Sequence, residues 1–348
     1  MTAASWLRRL CLLAVLLCFA VVVLGAYVRL TAAGLGCPDW PGCYGHLTPA
    51  AAQAAGGAAA FPERPLEPGK AWREMIHRYA VGTLSVIITL VAALAIRTRR
   101  EAIVSVPVAL ALLGTLILQA LLGMLTVTWR LNPLIVTLHL LLGMTTLALL
   151  WWLLLSLPPR FGRATAPAPT PAVARVLTLL GLAALIVQIA LGGWTSSNYA
   201  AVACPDFPTC QAAWWPHSDY RNAFVLWRGL GIDYQGGVLA NSARVAIHLT
   251  HRLGAIITTL ALALAAGFVV LGRRGLTAAR ARGWAVLAAL GLQLTIGISM
   301  VLETFPLWLA TAHTAGAALL LLATLALLRT LTHPAASPRA EPYVRLRA

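Results

Sequence analysis

The side chains able to do chemistry in this 348-residue chain are few, and they come in pairs. His77 lies at the outer start of one apolar stretch, and His139 lies one or two turns into another. His251 and His313 repeat that placement at a constant offset of 174. Glu74 precedes His77 by three residues and so shares its helical face; the repeat puts His248 at that position. Arg78 and Arg252 directly follow the first histidine of each pair. Cys37 and Cys43 flank "PDWPG", and Cys204 and Cys210 flank "PDFPT".

Ionisable groups inside an apolar span are costly and usually functional. For a single buried histidine, a satisfied interhelical hydrogen bond is an adequate explanation. Two pairs at matching depth in a repeated frame point instead to ligation. Two imidazoles in an apolar bundle suit axial ligation of haem iron. Zinc asks for four ligands, and copper often recruits Met or Cys; none of the five methionines pairs with these histidines. Arg78 and Arg252, at the outer rim, suit pairing with haem propionates or anchoring at the interface. An acid beside a ligand in one half only suggests that this half performs a reaction and the other holds a cofactor. The simpler account of Glu74 is a first-turn acid favoured by the helix dipole.

The elements that must position these residues are membrane helices. The chain is 60% hydrophobic and 10% charged, with mean hydropathy +0.82; a soluble domain carries about 25% charged residues. Eight apolar spans are predicted, roughly 8–28, 75–96, 102–127, 134–157, 174–194, 244–271, 283–302 and 306–328, each near the ~20 residues needed to cross. The first has the basic start of a signal peptide but no clear cleavage site before Arg29, and it is read as a helix. With the N-terminus inside, the inner segments hold 16 of the 26 Lys and Arg residues against two acids, a balance of +14, leaving +2 outside. That asymmetry sets the orientation. The net charge of +16 therefore reads as topogenic rather than as a nucleic-acid surface.

The segment 158–175, rich in Pro and Ala, reads as a cytoplasmic linker between two related halves. "LGAYVRLTAAGLGCPDWPGC" aligns with "LGGWTSSNYAAVACPDFPTC" at an offset of 167. "HRYAVG" aligns with "HRLGAI", and "LQALLG" with "LQLTIG", at 174. Four helices per half give a parallel repeat. The expected fold is an all-α membrane protein of two tandem four-helix bundles: 1–157, then 176–330, then a cytoplasmic tail 331–348. Both cysteine pairs fall in outward loops, where oxidation is favoured, so a disulfide is preferred over a metal pair. Cys11 and Cys18 read as buried thiols. His46, His217 and His333 do not repeat and read as solvated.

The combination "RLTAAGLGCPDWPGCYG", "EMIHRYAVGTL", "LQALLGMLTVT", "VTLHLLLG" and "IHLTHRLGAI" resembles the haem A synthase family, with the paired cysteines of both loops resembling its proteobacterial branch. The resemblance covers about residues 8–328. It implies oxidation of the C8 methyl of haem O to a formyl group, giving haem A for cytochrome c oxidase. It implies that His77 and His139 bind the substrate haem, that His251 and His313 ligate a haem B cofactor, that Glu74 is catalytic, and that Cys37 and Cys43 form a disulfide. Implied partners are haem O and haem A, a haem O synthase, cytochrome c oxidase assembly factors, an electron donor, membrane lipid and further copies of the chain, in a bacterial inner membrane with the cysteine loops periplasmic. The resemblance assigns His248 no role. The runner-up reading is a di-haem electron carrier linked to quinone, which gives no reason for an acid in one half only. A thiol oxidoreductase needs a reactive Cys-x-x-Cys or a quinone site, and neither is present.

Overall fold

The computed structural model describes residues 3–97, 106–157, 171–272 and 276–332. Most of the inner basic residues, most of the linker and the tail with His333 lie outside them. The described residues form ten α-helices and no named strand. Eight are long and apolar enough to cross a membrane: α1 (Ala3–Leu30), α3 (Pro68–Arg97), α4 (Val106–Thr128), α5 (Pro133–Ser156), α6 (Ala172–Ser197), α8 (Asn241–Leu271), α9 (Thr277–Leu302) and α10 (Leu307–Thr332). Two short helices, α2 (Pro49–Ala54) and α7 (Tyr220–Ala223), lie in the long loops. The chain is a multi-pass membrane protein, and the helical form follows from its solvent: in hydrocarbon every backbone N–H and C=O must be satisfied within its own segment.

The helix ends are set by local chemistry, and it recurs between the halves. Asn132 caps α5 by accepting from the Leu134 amide at 3.1 Å, with Pro133 as the first helical residue. The α4–α5 turn places Arg130 and Leu131 in the left-handed region, and the α9–α10 turn does the same with Thr304 and Phe305, at the offset of 174. In both, the second of these residues donates back five positions, from Leu131 to Thr126 and from Phe305 to Met300. After α1 and α6, Ala32 and Tyr199 are left-handed, an offset of 167. Such a geometry costs a non-glycine residue energy. Its recurrence at matched positions is consistent with two tandem units.

Within the first half, α1 and α4 each pack on both α3 and α5; within the second, α6 and α9 each pack on both α8 and α10. The halves meet where α5 packs on α6 and where α10 packs on α1 and α5. One apolar core runs through both, including Leu7, Leu147, Leu150, Leu262, Leu320 and Leu327. The Trp151 indole crosses it, donating to the Leu322 carbonyl at 2.9 Å.

The largest departure from the predicted spans is at α3, which begins at Pro68 rather than 75. The stretch "PGKAWREM" is too polar to register as part of an apolar run. It is helical nonetheless, because the Glu67 carbonyl accepts from Lys70 and Ala71 and starts the ladder. Glu74 is therefore the seventh residue of the helix, about 9 Å along its axis at 1.5 Å per residue, past the first turn where the dipole argument applies.

Candidate functional site

Each cysteine pair is a disulfide, Cys37–Cys43 and Cys204–Cys210. Both loops fold the same way. Asp39 accepts from the Tyr44 and Gly45 amides, and Asp206 accepts from the Gln211 and Ala212 amides and the Thr209 hydroxyl. Those bonds, led by the Thr209 hydroxyl, hold the Asp206 carboxyl below the usual range. Cys43 pairs with His46, and Cys210 with Ala213, in isolated bridges. Closing so short a loop restricts the unfolded chain by about 2–3 kcal/mol in the loop-entropy account.

An arginine from the following helix fills each loop. Arg78 donates to the carbonyls of Asp39, Pro41 and Gly42. Arg252 donates to those of Asp206, Pro208 and Thr209, the matching positions at the offset of 167, and also to Cys204. Two arginines read as propionate partners or interface anchors thus have several of their hydrogens on loop carbonyls.

The halves part company one helical turn earlier. Glu74 is buried, 5% exposed. One carboxylate oxygen accepts from the Cys37 amide at 2.8 Å, and the other pairs with Arg78. The first outer loop, the disulfide and α3 are thereby joined through one carboxylate. His248, at the equivalent place in α8, is also buried, 4% exposed. Its ring meets Phe305 edge-on at 6.4 Å. Its Nδ1 has no partner.

All four paired histidines point into the helix bundle. His77 and His139 lie within electrostatic reach of each other. The His251 and His313 rings have centroids 6.5 Å apart. Two imidazoles sharing one metal at about 2 Å from a nitrogen of each have centroids about 6 Å apart, a separation close to the one seen here. Each imidazole is seated against a glycine of a neighbouring helix. A Cβ on Gly25 would come within 3.1 Å of His77, on Gly123 within 3.4 Å of His139, on Gly192 within 3.3 Å of His251, and on Gly297 within 2.9 Å of His313. The sequence reading assigns no role to these glycines or to three glutamines beside the rings (Gln119, Gln188 and Gln293). A signal exists for most of them: Gln119 and Gly123 bound the repeated "LQALLG", and Gly25 and Gly192 open the other repeat.

The residues fit a haem better than a bare ion. Among the described residues, no three His, Cys, Asp or Glu side chains converge, so the protein offers no full zinc shell, whereas a haem brings its own equatorial nitrogens and asks for axial ligands only. The unpartnered, buried Nδ1 atoms of His77 and His139 mark imidazoles not consumed by structural hydrogen bonds.

Residues 8–325 match the model of a family described as cytochrome oxidase assembly protein. The chain is 40% identical over 335 residues to a haem A synthase of Shewanella oneidensis, covering 96% of this chain and 98% of that protein. It is 30% identical over 188 residues to a haem A synthase of Erythrobacter litoralis, covering 53% of this chain and 49% of that one.

Proposed function

The chain belongs to the cytochrome oxidase assembly protein family, and from that premise we propose that it is a membrane oxidoreductase that converts the C8 methyl of haem O to a formyl group, producing haem A. Beyond kinship, the observation that carries this reading is the asymmetry of the site: two matched histidine pairs, with a buried acid beside only one of them. In this reading His77 and His139 receive the substrate haem in the first half, residues 1–157. Gly25 and Gly123 leave their imidazoles room to sit between the helices. Methyl to formyl replaces two C–H hydrogens with one oxygen, a four-electron oxidation that draws its oxygen from water with an electron acceptor, or from dioxygen with a separate electron donor and loss of water; on either route protons move at the site. Glu74 is the base: it sits one turn before His77, with one oxygen anchored by the Cys37 amide and the other shared with Arg78. His251 and His313, in the second half (176–330), would hold haem B, which supplies one-electron redox chemistry when bound. Arg78 and Arg252 keep the disulfide loops closed over the outer ends, where they would lie near the propionates of a bound haem.

The test is haem extraction and chromatography from cells that make haem O and express the chain. Haem A is expected; haem B alone, at two per chain, would support the di-haem electron carrier instead. The reading places the protein in a bacterial inner membrane, with a haem O synthase supplying its substrate, cytochrome c oxidase assembly consuming its product, and a separate electron donor. The charge split of +14 against +2 puts both termini in the cytoplasm and both disulfides in the periplasm. Alkaline phosphatase fused after residue 348 should therefore be inactive, and a fluorescent protein that folds only in the cytoplasm should be bright there; the reverse result would invert the topology.

A further inference from the structure

The imidazoles of the two halves are held differently. In the second half, the Gln188 amide nitrogen lies 3.1 Å from His251 Nδ1 and donates to the His251 carbonyl at 2.9 Å. The Gln293 amide nitrogen lies 3.3 Å from both ring nitrogens of His313. Space for these carboxamides is cut into the helices that carry the histidines: a Cβ on Gly254 would sit 2.3 Å from Gln188 Oε1, and one on Gly316 would sit 2.1 Å from Gln293 Oε1. Both oxygens are buried and unpartnered.

In the first half the recess recurs without the ring contact: a Cβ on Gly143 would sit 3.1 Å from Gln119 Nε2, and Gln119 Oε1 is buried and unpartnered. Gln119, the counterpart of Gln293 at an offset of 174, reaches only the backbone carbonyl of His139, at 3.0 Å. The counterpart of Gln188, at an offset of 167, is Val21. Neither His77 Nδ1 nor His139 Nδ1 has a partner.

A second hydrogen bond to a ligating imidazole fixes its tautomer and its ring orientation. We propose that Gln188 and Gln293 are positioning residues that pin His251 and His313 around a resident haem, while the unpinned His77 and His139 are free to turn and so take up and release a haem that must exchange. This rests on the reading that His251 and His313 are axial ligands. Ligation through Nε2 leaves the proton on Nδ1. A half-turn of the terminal carboxamide then presents the unpartnered Oε1 as its acceptor; at Gln188 the turn gives up the bond to the His251 carbonyl and moves the carboxamide away from that oxygen. The first half needs a looser grip because its haem is a substrate: it enters as one molecule and leaves as another every turnover.

The experiment measures transfer of haem B from the purified holoprotein to excess apomyoglobin, with the haem type identified by chromatography. Gln188→Leu and Gln293→Leu should each speed the loss of haem B by about tenfold or more, the usual effect of removing such a partner. Gln188→Glu keeps an acceptor oxygen and should hold haem B near the parent rate. It should also lower the haem's midpoint potential, because a carboxylate pulls the Nδ1 proton harder and stabilises the ferric state. Gln119→Leu should leave haem B release unchanged. Parent-like release from both leucine variants would overturn the proposal, as would rapid release from Gln188→Glu, which would make the effect one of packing. His251→Ala is the control for the underlying reading: if it too retains a low-spin haem B, the ligand assignment is what has failed.

Discussion

Glu74→Gln should abolish haem A formation while leaving the protein inserted and its haem B in place. Extracts of cells carrying it should contain haem O, or a hydroxylated intermediate, in place of haem A. The substitution keeps the side chain's size and one acceptor oxygen for the Cys37 amide, and it removes the negative charge and the capacity to take a proton. Its structural cost falls on Arg78, whose buried charge loses its carboxylate; breaking a buried pair outright costs about 3–5 kcal/mol. Here three loop carbonyls still receive that guanidinium, so the loop should stay closed. His248→Gln should leave haem A formation far less affected, since the corresponding arginine, Arg252, is held by carbonyls alone. Haem A at near-parent levels from Glu74→Gln would reduce Glu74 to a brace between α3 and the first loop.

His251→Ala and His313→Ala should each remove the low-spin haem B spectrum and cut bound haem B at least about tenfold, the lower end of what loss of even an indirect metal contact costs. His77→Ala and His139→Ala should behave oppositely: haem B retained, haem A absent, and haem O no longer co-purifying with the protein. The measurement is the optical spectrum of each purified variant together with its extracted haems. The His251 and His313 rings are 6.5 Å apart, so each variant removes one of two facing imidazoles. A full low-spin haem B spectrum in both His251→Ala and His313→Ala would move the cofactor elsewhere.

Much of this is legible without coordinates. Hydrophobic length gives eight spans, and the offsets of 167 and 174 pair the histidines, the disulfide loops and the positions of Glu74 and His248. The helix ends are less legible, and α3 shows why: hydropathy reports where a helix meets lipid, whereas the helix itself runs on until its hydrogen-bond ladder stops. Arg78 and Arg252 read as propionate partners or interface anchors, because a sequence shows a cation at the rim but not the cluster of carbonyls folded around it. Gln188 is silent for a different reason. It has no repeat partner, and a lone glutamine in a membrane span carries no spacing to compare.

Arg29 of α1 donates to the Ser196 carbonyl at the end of α6 at 2.8 Å and stacks over Tyr199. Arg64 meets Asp233 at 2.5 Å and Gln235 at 2.7 Å. These stitches join residues 167 to 171 positions apart, while each arginine-filled loop closes over 36 to 48. Bringing ends together costs about 0.6 kcal/mol more for each doubling of the intervening chain, so the stitches are about 1 kcal/mol dearer in closure entropy. A further condition is that α6 and the loop between α6 and α8 have to be synthesised before either stitch has anything to hold. The first four helices and their clasp are thus made before either stitch has a partner, and Arg29 and Arg64 can join the halves only once α6 and that loop have followed.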